Sequence, residues 1–319
     1  MLTANANGDS APWMGIPVTE RPEPLLLHRV LTALVAVPII LAAIWSGPPW
    51  LTALAVAAAV VGVWEAYRLH PAAVAKGDTS DDKAPPALLG CVWSAAMVLA
   101  GELAATPLDF AKTLVGICIA GSIIGGLWMI AAWRGQRPVA TAAWLWVTPV
   151  YVGGAMAAAV ALRGLEQEMP GSAAIPILAN TNLGLWWLLL AILGVYAADT
   201  GAYGVGRLMG RHRMAPSISP GKTWEGTIGG LLAATVAVTA LGLITPLNLA
   251  VWQAVATGVI LGVVAPAGDL LESKVKRWAG VKDSGAIFPG HGGMLDRLDS
   301  LLPSFIVVYI VAIVLTTLN

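Results

Sequence analysis

The chain has 319 residues, of which 57% are hydrophobic and only 11% are charged, and its mean hydropathy is +0.76. This composition excludes an ordinary soluble domain, which would need far more polar surface. The formal net charge is zero, so no overall basic surface is available and nucleic acid is not expected as a partner.

The first 24 residues differ from the rest of the chain. Residues 1–24 are rich in Pro, Gly, Asn and Asp and lack the basic start and apolar middle of a signal peptide, so we predict a disordered cytoplasmic tail. Apolar runs of at least ~18 residues follow, each long enough to cross about 30 Å of hydrocarbon as a helix. The expected fold class is all-α, a polytopic integral membrane protein. About nine transmembrane helices are predicted, at 28–46, 49–67, 86–105, 111–133, 140–161, 183–205, 226–246, 250–271 and 301–318.

The distribution of Lys and Arg predicts the orientation. With the N-terminus inside and the spans alternating, 16 of the 18 Lys and Arg residues fall in the tail and the cytoplasmic loops, and only Lys112 and Arg163 fall outside. The positive-inside rule expects such a bias. The N-terminus is therefore predicted to be cytoplasmic, and the charged loops at 206–225 and 272–300 face the cytoplasm together.

The sixth span ends in the segment YAADTGAYGVGR, residues 196–207. Its small residues favour close packing of helices, so part of the pattern is expected to be structural. Asp199 is an acid at membrane depth, which costs roughly 2.5 kcal/mol or more. Such an acid indicates a function, and Asp199 is a candidate site residue.

The next loop contains SISPGKTWEG, residues 217–226, which is similar to a P-loop only at first sight. The first Walker glycine would fall at Pro216, and no strand is expected before the segment. Two interpretations stay open. The turn could bind an anion at the N-terminus of the following helix, or Thr223 could be a simple N-cap.

The longest charged segment, residues 268–300, begins where the eighth span ends. If that helix continues, Asp269 is followed by Glu272, Ser273 and Lys276 at spacings of three, four and seven. These spacings place all four side chains on one helical face. Since the face begins at membrane depth, its acids are expected to be functional.

Two further acids, Asp296 and Asp299, lie three apart just before the last span and share a helical face. Glycines between the two helices let the backbone approach a ligand and expose its N–H groups. Acids, cations and exposed backbone together indicate a site for Mg²⁺ and a polyphosphate, because Mg²⁺ combines a few carboxylates with phosphate oxygens and water. A solvated loop that only anchors the topology is the alternative. The glycines and cations are Gly285, Gly290, Gly292, Gly293, Lys276, Arg277, Lys282 and Arg297.

Three motifs within residues 196–300 resemble those of the phosphatidate cytidylyltransferases, the CDP-diacylglycerol synthases. The second motif spans Ser219–Gly226, where the family more often has Lys at the place of Gly221, and the third spans Asp199–Tyr203. Residues before 180 are merely compatible with the family. The first motif is a 27-residue signature matched by Ser273, Lys276, Arg277, Lys282, Asp283, Gly285, Phe288, Pro289, His291, Gly292, Gly293, Asp296, Arg297 and Asp299.

The resemblance implies a Mg²⁺-dependent reaction in which CTP and phosphatidic acid give CDP-diacylglycerol and pyrophosphate. It also implies a homodimer with a polar cavity open to the cytoplasm and to lipid, in which Asp269 and Asp296 hold metal. Asp299 is a further candidate ligand, or a partner that orients Arg297 or a lysine. One or two Mg²⁺ ions, and an additional monovalent cation, are compatible with the motif.

On the same basis, residues 25–182 are expected to form variable N-terminal helices and residues 183–319 the catalytic part. The absence of an organelle signal favours a bacterial inner (plasma) membrane, with the active site facing the cytoplasm.

The implied chemistry needs no activated Ser, Cys or His. The phosphate of phosphatidic acid is already ionised, so the protein must align two polyanions for in-line attack at the α-phosphorus of CTP and neutralise the developing charge. Two metal ions could clamp the attacking and leaving oxygens. The residues assigned to catalysis are Asp269, Asp296, Lys276 and Arg297, and those assigned to substrate binding are Ser219, Lys222, Thr223, Ser273, Arg277, Lys282, His291, Gly292, Gly293 and Asp199.

Two other classes of function are compatible with acids in a membrane. An ion-coupled secondary transporter would predict acids near the bilayer midplane and internal repeats, and the chain shows no repeat. The other class is a related membrane enzyme that acts on another lipid, such as a polyprenol kinase or an archaeal-type CDP-lipid synthase. Only the match to the full 27-residue signature argues against this class.

Overall fold

The structure is a computed structural model that describes residues 26–70, 85–134, 138–165, 182–288 and 292–318. The predicted tail at 1–24 lies outside the described residues, as do Gly290 and His291. In chain order the elements are α1 (Leu26–Ser46), α2 (Trp50–Arg68), α3 (Ala87–Leu103), α4 (Pro107–Ala131), α5 (Pro138–Arg163), α6 (Leu183–Met209), β1 (Arg213–Ala215), β2 (Ser219–Thr223), α7 (Trp224–Ile244), α8 (Val251–Trp278), α9 (Leu295–Leu298) and α10 (Leu301–Leu318).

The all-α polytopic membrane fold is confirmed. Six helices, namely α2 and α4 to α8, are long and apolar enough to cross a membrane. Three shorter apolar helices, Leu34–Ser46, Ala87–Leu103 and Leu301–Thr317, coincide with the remaining predicted spans. The number of nine spans and the cytoplasmic N-terminus stay predictions.

The helices pack in two groups that meet at α10. In the first half of the chain α2, α3 and α5 pack together, and in the second half α6, α7 and α8 do so. Helix α10 contacts α5 as well as α6 and α8, and its Val308 and Ala312 are completely buried. The apolar core therefore continues across the predicted division between residues 25–182 and 183–319, a division that stays a prediction.

Small residues bring α6 and α7 unusually close together. A Cβ added at Gly226 would lie 2.8 Å from the carbonyl oxygen of Ala202, and one added at Gly230 would lie 2.6 Å from that of Ala198. Both distances are shorter than van der Waals contact, so only glycine fits at these two positions of α7. This packing places the start of α7 beside Asp199 of α6.

The loop before α7 forms a small antiparallel hairpin, so the expectation that no strand precedes the SISPGKTWEG segment is wrong. Strand β1 pairs with β2 through the partners Arg213–Thr223 and Ala215–Ser219. The three intervening residues close the turn, and strands this short leave little periodicity in a sequence. Thr223 ends β2 and caps α7, its Oγ1 accepting a hydrogen bond from the Gly226 N–H at 3.1 Å.

Arg163, one of the two cations predicted outside, is buried and holds the end of α1. Its Nε donates to the carbonyl oxygen of Ile44 at 2.9 Å and its Nη2 to that of Trp45 at 3.1 Å. We expect Arg163→Met to lower the free energy of unfolding by about 1–3 kcal/mol, since one buried and one part-buried hydrogen bond to backbone carbonyls lose their charged donor. Thermal unfolding in detergent measures this. Arg134→Met is the control, because exposed Arg134 bonds, among the residues that the structure describes, only the adjacent Trp133 carbonyl. Equal midpoints for the two variants would contradict the role of Arg163.

Candidate active site

A cleft of about 600 Å³ lies between α6, the hairpin, α7 and α8. It gathers side chains from residues 198–230 and from residues 262–269 of α8. The predicted site residues in its lining are Asp199, Ser219, Lys222, Thr223 and Asp269, and the further polar residues at the cleft include Tyr203, Arg207 and Arg213.

The centre of the cleft is an ion pair between the hairpin and α8. The Nζ of Lys222 lies 2.7 Å from Oδ2 of Asp269 and also donates to the carbonyl oxygen of Pro266 at 3.2 Å. The other oxygen of Asp269 accepts a hydrogen bond from the Ser273 hydroxyl at 3.1 Å. The ion pair is partly exposed at the cleft, so ligand phosphates could compete for Lys222 and a metal ion could compete for Asp269.

Asp299 faces the same acids from the start of α10. The N–H of Ser300 donates to its Oδ1 at 2.6 Å. Burial, and after it the negative charges of Asp269 and Asp199, raise the pKa of the Asp299 carboxyl to about 6. The carboxylates of Asp199, Asp269 and Asp299 therefore lie near enough for their charges to influence one another, with Lys222 as a neutralising cation beside Asp269.

This set of oxygen donors fits Mg²⁺. No three His, Cys, Asp or Glu side chains of the described residues are grouped closely enough to hold a metal on their own. Mg²⁺ does not require that, because it normally takes one or two carboxylates and completes its shell with phosphate oxygens and water. Asp269, which already binds the ammonium of Lys222, is the carboxylate best suited to a cation.

A second cluster of charges lies beside the cleft, around Lys276. This ammonium lies 2.6 Å from Oδ1 of Asp296 and 3.1 Å from Oε1 of Glu272. Glu272 and Lys276 are one turn apart on α8, as are Asp269 and Ser273, so the predicted continuous helical face exists. The face nevertheless divides between two environments, since Asp269 meets the hairpin and Lys276 meets Asp296.

Asp296 organises the glycine loop through its hydrogen bonds, and its role as a metal ligand stays a prediction. Its Oδ2 accepts hydrogen bonds from Ser284 N at 2.9 Å, Ser284 Oγ at 3.0 Å and Gly293 N at 2.7 Å. Burial raises the pKa of the Asp296 carboxyl, but hydrogen bonds from Lys276, Gly293 and Ser284 outweigh it and hold that pKa below its ordinary value. Four donors therefore surround Asp296, and a metal ion would have to compete with them, as it would with Lys222 and Ser273 at Asp269.

The same contacts change the interpretation of two glycines. The N–H of Gly293, predicted to meet a phosphate, is occupied by Asp296 instead. Gly292 adopts a φ of +80°, and a Cβ there would lie 2.6 Å from Oδ2 of Asp296. In the described structure Gly292 lets the backbone come close to Asp296, because a side chain at this position would collide with the carboxylate.

Three predicted cations lie outside these clusters. Arg277 bonds the carbonyl oxygens of Ile218 and Val281, which ties the hairpin turn to the end of α8. Lys282 and Arg297 are exposed, and neither side chain makes a hydrogen bond or ion pair within the described residues. The structure therefore does not bring Arg297 to Asp299. The side chains of Lys282 and Arg297 remain available to a ligand at the surface.

The sequence interpretation missed Glu65 of α2, which is only 1% exposed. Its Oε2 accepts hydrogen bonds from the N–H of Leu295 at 3.0 Å and the hydroxyl of Ser284 at 3.3 Å. A glutamate within an apolar span was the available signal, since ionisable residues inside membranes are usually there for a reason.

Fold and cleft together define a polytopic helical membrane protein with an acid–lysine site at one end of its helices. The chain belongs to the cytidylyltransferase family, whose sequence profile matches residues 27–315.

Curated relatives match a shorter stretch. The chain is 48% identical over 119 residues to the phosphatidate cytidylyltransferase of Staphylococcus saprophyticus, a match that covers 37% of this chain and 46% of the relative. It is 49% identical over 124 residues to that of Staphylococcus haemolyticus, with 39% and 48% covered, and 48% identical over 119 residues to that of Staphylococcus aureus strain COL, with 37% and 46% covered. The match thus spans a little under half the length of these relatives.

Proposed function

We propose that this protein transfers the CMP moiety of CTP to phosphatidic acid, giving CDP-diacylglycerol and pyrophosphate. The observation that supports this best is the cleft, in which Lys222 is paired with Asp269 beside Asp199 and Asp299. Membership of the cytidylyltransferase family and similarity to phosphatidate cytidylyltransferases support the same reaction.

Two polyanions must meet at this site, and the charges of the cleft suit that task. Lys222 lies beside the acids, and Arg207 and Arg213 stand further along the cleft without a carboxylate partner among the described residues. We assign the CTP phosphates to Lys222 and the hairpin, and Mg²⁺ to Asp269 with Asp299 or Asp199. When bound, Mg²⁺ supplies charge neutralisation and polarisation at the transferred phosphorus.

The proposed reaction depends on the alignment of the lipid phosphate with the α-phosphorus of CTP. A phosphate oxygen of phosphatidic acid forms a bond to the α-phosphorus of CTP as the bond between the α-phosphorus and the bridging oxygen breaks, and pyrophosphate leaves with that electron pair. The nucleophile is already ionised, so no side chain needs to remove a proton. Ser219, near the hairpin turn, is placed to donate a hydrogen bond to a phosphate, and Lys222 moves from Asp269 to the phosphates as negative charge develops.

Lys276 and Asp296 are proposed to act by positioning. Their ion pair of 2.6 Å fixes the glycine loop to α8, one turn beyond Ser273. Arg277, Lys282 and Arg297 lie on the exposed side and are proposed to meet the outer phosphates or the lipid headgroup. The proposed ligand contacts of Thr223, Gly292, Gly293 and His291 rest on the resemblance alone.

A cytoplasmic site at a bacterial inner membrane is part of the proposal. Helices α6 and α8 have 27 and 28 residues, whereas about 20 cross the hydrocarbon. Asp199 and Asp269 are the 17th and 19th residues of these helices, so both lie near the membrane border rather than at the midplane that a transporter would favour. The homodimer remains an expectation from the family.

An assay with CTP labelled at two positions tests the reaction. Purified protein with phosphatidic acid and Mg²⁺ should move ³²P from [α-³²P]CTP into lipid, and dCTP should compete, since the chemistry is at the phosphorus. EDTA, or omission of the lipid, should stop incorporation. With [γ-³²P]CTP the label should appear in pyrophosphate only.

Each alternative gives a different result in this assay. A lipid kinase would place the γ-label in the lipid, and an enzyme for another lipid would stay inactive until that lipid replaced phosphatidic acid. Absence of any lipid-dependent incorporation of the α-label would remove the enzyme proposal and favour the transporter.

A further inference from the structure

Glu65 is a buried carboxylate from the part of the chain that bears none of the three motifs. It lies in the last turn of α2, is 1% exposed, and contacts a segment more than 200 residues later. A buried carboxylate is costly unless donors surround it. Its partners are therefore informative, and both belong to the loop between α8 and α10.

The loop closes around Glu65 from two sides. Oε2 of Glu65 accepts from the N–H of Leu295, the first residue of α9, and from the hydroxyl of Ser284 on the opposite side of the loop. A side chain on Gly285 would overlap the Glu65 carboxylate, and a Cβ on Gly293 would lie 2.5 Å from its Oε2. These two glycines allow the backbone to reach the carboxylate.

Ser284 connects Glu65 to the charged cluster. Its hydroxyl lies 3.3 Å from Oε2 of Glu65 and 3.0 Å from Oδ2 of Asp296, while Oδ1 of Asp296 binds Lys276 at 2.6 Å. A hydroxyl has one proton and can donate to only one of the two carboxylates at a time. The chain Glu65–Ser284–Asp296–Lys276 thus joins α2 to α8 through contacts that exclude most solvent.

We propose that Glu65 is a positioning residue of the active site, which holds residues 284–285 and 293–295 together so that Asp296 and Lys276 keep their places beside the cleft. The proposal rests on the proposed function for its catalytic consequence. Its structural part, the anchoring of the loop by a carboxylate of α2, stands independently. Glu65 does not line the cleft and touches neither Lys222 nor Asp269.

Two substitutions of Glu65 test the proposal in the full-length protein. Glu65→Ala should lower kcat for lipid-dependent CMP transfer about 100-fold, because a displacement of about 1 Å in a positioned group has that effect. KM for CTP should stay unchanged, since the residues assigned to CTP are not in contact with Glu65. Glu65→Gln keeps the shape and an acceptor for Leu295, so it should retain more activity, losing about tenfold.

Glu102→Gln is the matched control. Glu102 lies on α3, is partly buried, and makes no hydrogen bond or ion pair within the described residues. Its substitution should leave kcat and KM unchanged. If Glu65→Ala kept kcat at the wild-type value, or if KM for CTP rose while kcat stayed constant, the positioning role would be overturned.

Hydrogen exchange separates this proposal from the proposed function. Glu65→Ala and Glu65→Gln should speed exchange in peptides covering 282–298, while exchange in α7 stays as in the wild type. If the wild type shows no CMP transfer, the proposed function fails, and faster exchange still supports the anchoring of the loop. Unchanged exchange in both variants would overturn the anchoring whether or not the protein is active.

Discussion

Asp269→Asn should abolish lipid-dependent CMP transfer, lowering kcat by about 10²–10³-fold or more. Asparagine has the same shape and can still accept the hydrogen bond from Ser273, but it loses the charge that binds Lys222 at 2.7 Å. The proposed Mg²⁺ site loses its central carboxylate at the same time. Label transfer from [α-³²P]CTP into lipid measures the loss.

A matched control variant tests whether the loss of activity is specific to Asp269. Asp109→Asn removes an acid at the start of α4, where Asp109 accepts from Thr106 and lies 3.9 Å from Lys112 at the surface. Asparagine preserves the acceptor for Thr106, so both the activity and the unfolding temperature should match the wild type. Near-normal turnover of Asp269→Asn, in a protein that unfolds at the wild-type temperature, would show that Asp269 has no central role.

Asp296→Asn should cause a loss of comparable size, about 10²–10³-fold in kcat, for a different reason. Every atom around this carboxylate is a donor, from Lys276 on one oxygen and from Ser284 and Gly293 on the other. An amide has only one acceptor oxygen, so in either orientation its NH₂ group opposes a donor. The loop should therefore open, and the protein should still insert into the membrane as a folded bundle.

The dependence on Mg²⁺ decides between two roles for Asp296. If Asp296 positions the loop, its asparagine variant should lose kcat with an unchanged Mg²⁺ concentration at half-maximal rate. If Asp296 is a metal ligand, as the family resemblance implies, that concentration should rise and excess Mg²⁺ should restore part of the activity. Full activity at ordinary Mg²⁺ would contradict both roles.

The sequence predicted what depends on local spacing. Hydropathy located the six long apolar helices, and the helical spacing from Asp269 to Lys276 predicted a face that α8 provides. The pairing of Lys222 with Asp269 could not be derived this way, because 47 positions separate them and the pairing depends on how the hairpin folds over α8. The motifs placed both residues in one site without indicating that they touch.

The loop within the 27-residue signature shows what could not be predicted from the sequence. Its glycines, acids and lysine are recognisable as a set, but the sequence does not say whether Gly293 faces a phosphate or Asp296. We propose that this choice depends on Glu65, whose carboxylate binds Ser284 and Leu295 from a helix far earlier in the chain. Tertiary packing of this kind leaves only a faint trace in one sequence, here a single acid in an apolar span.

The ion pair between Lys222 and Asp269 also affects the stability of the protein in the absence of a divalent ion. A carboxylate already compensated by the protein's own ammonium does not repel its acidic neighbours as strongly, so the bundle should hold together without a divalent ion. Chelation would then act as a reversible switch on turnover and not as a denaturant. Protein treated with EDTA should keep its unfolding temperature and recover its rate when Mg²⁺ is returned.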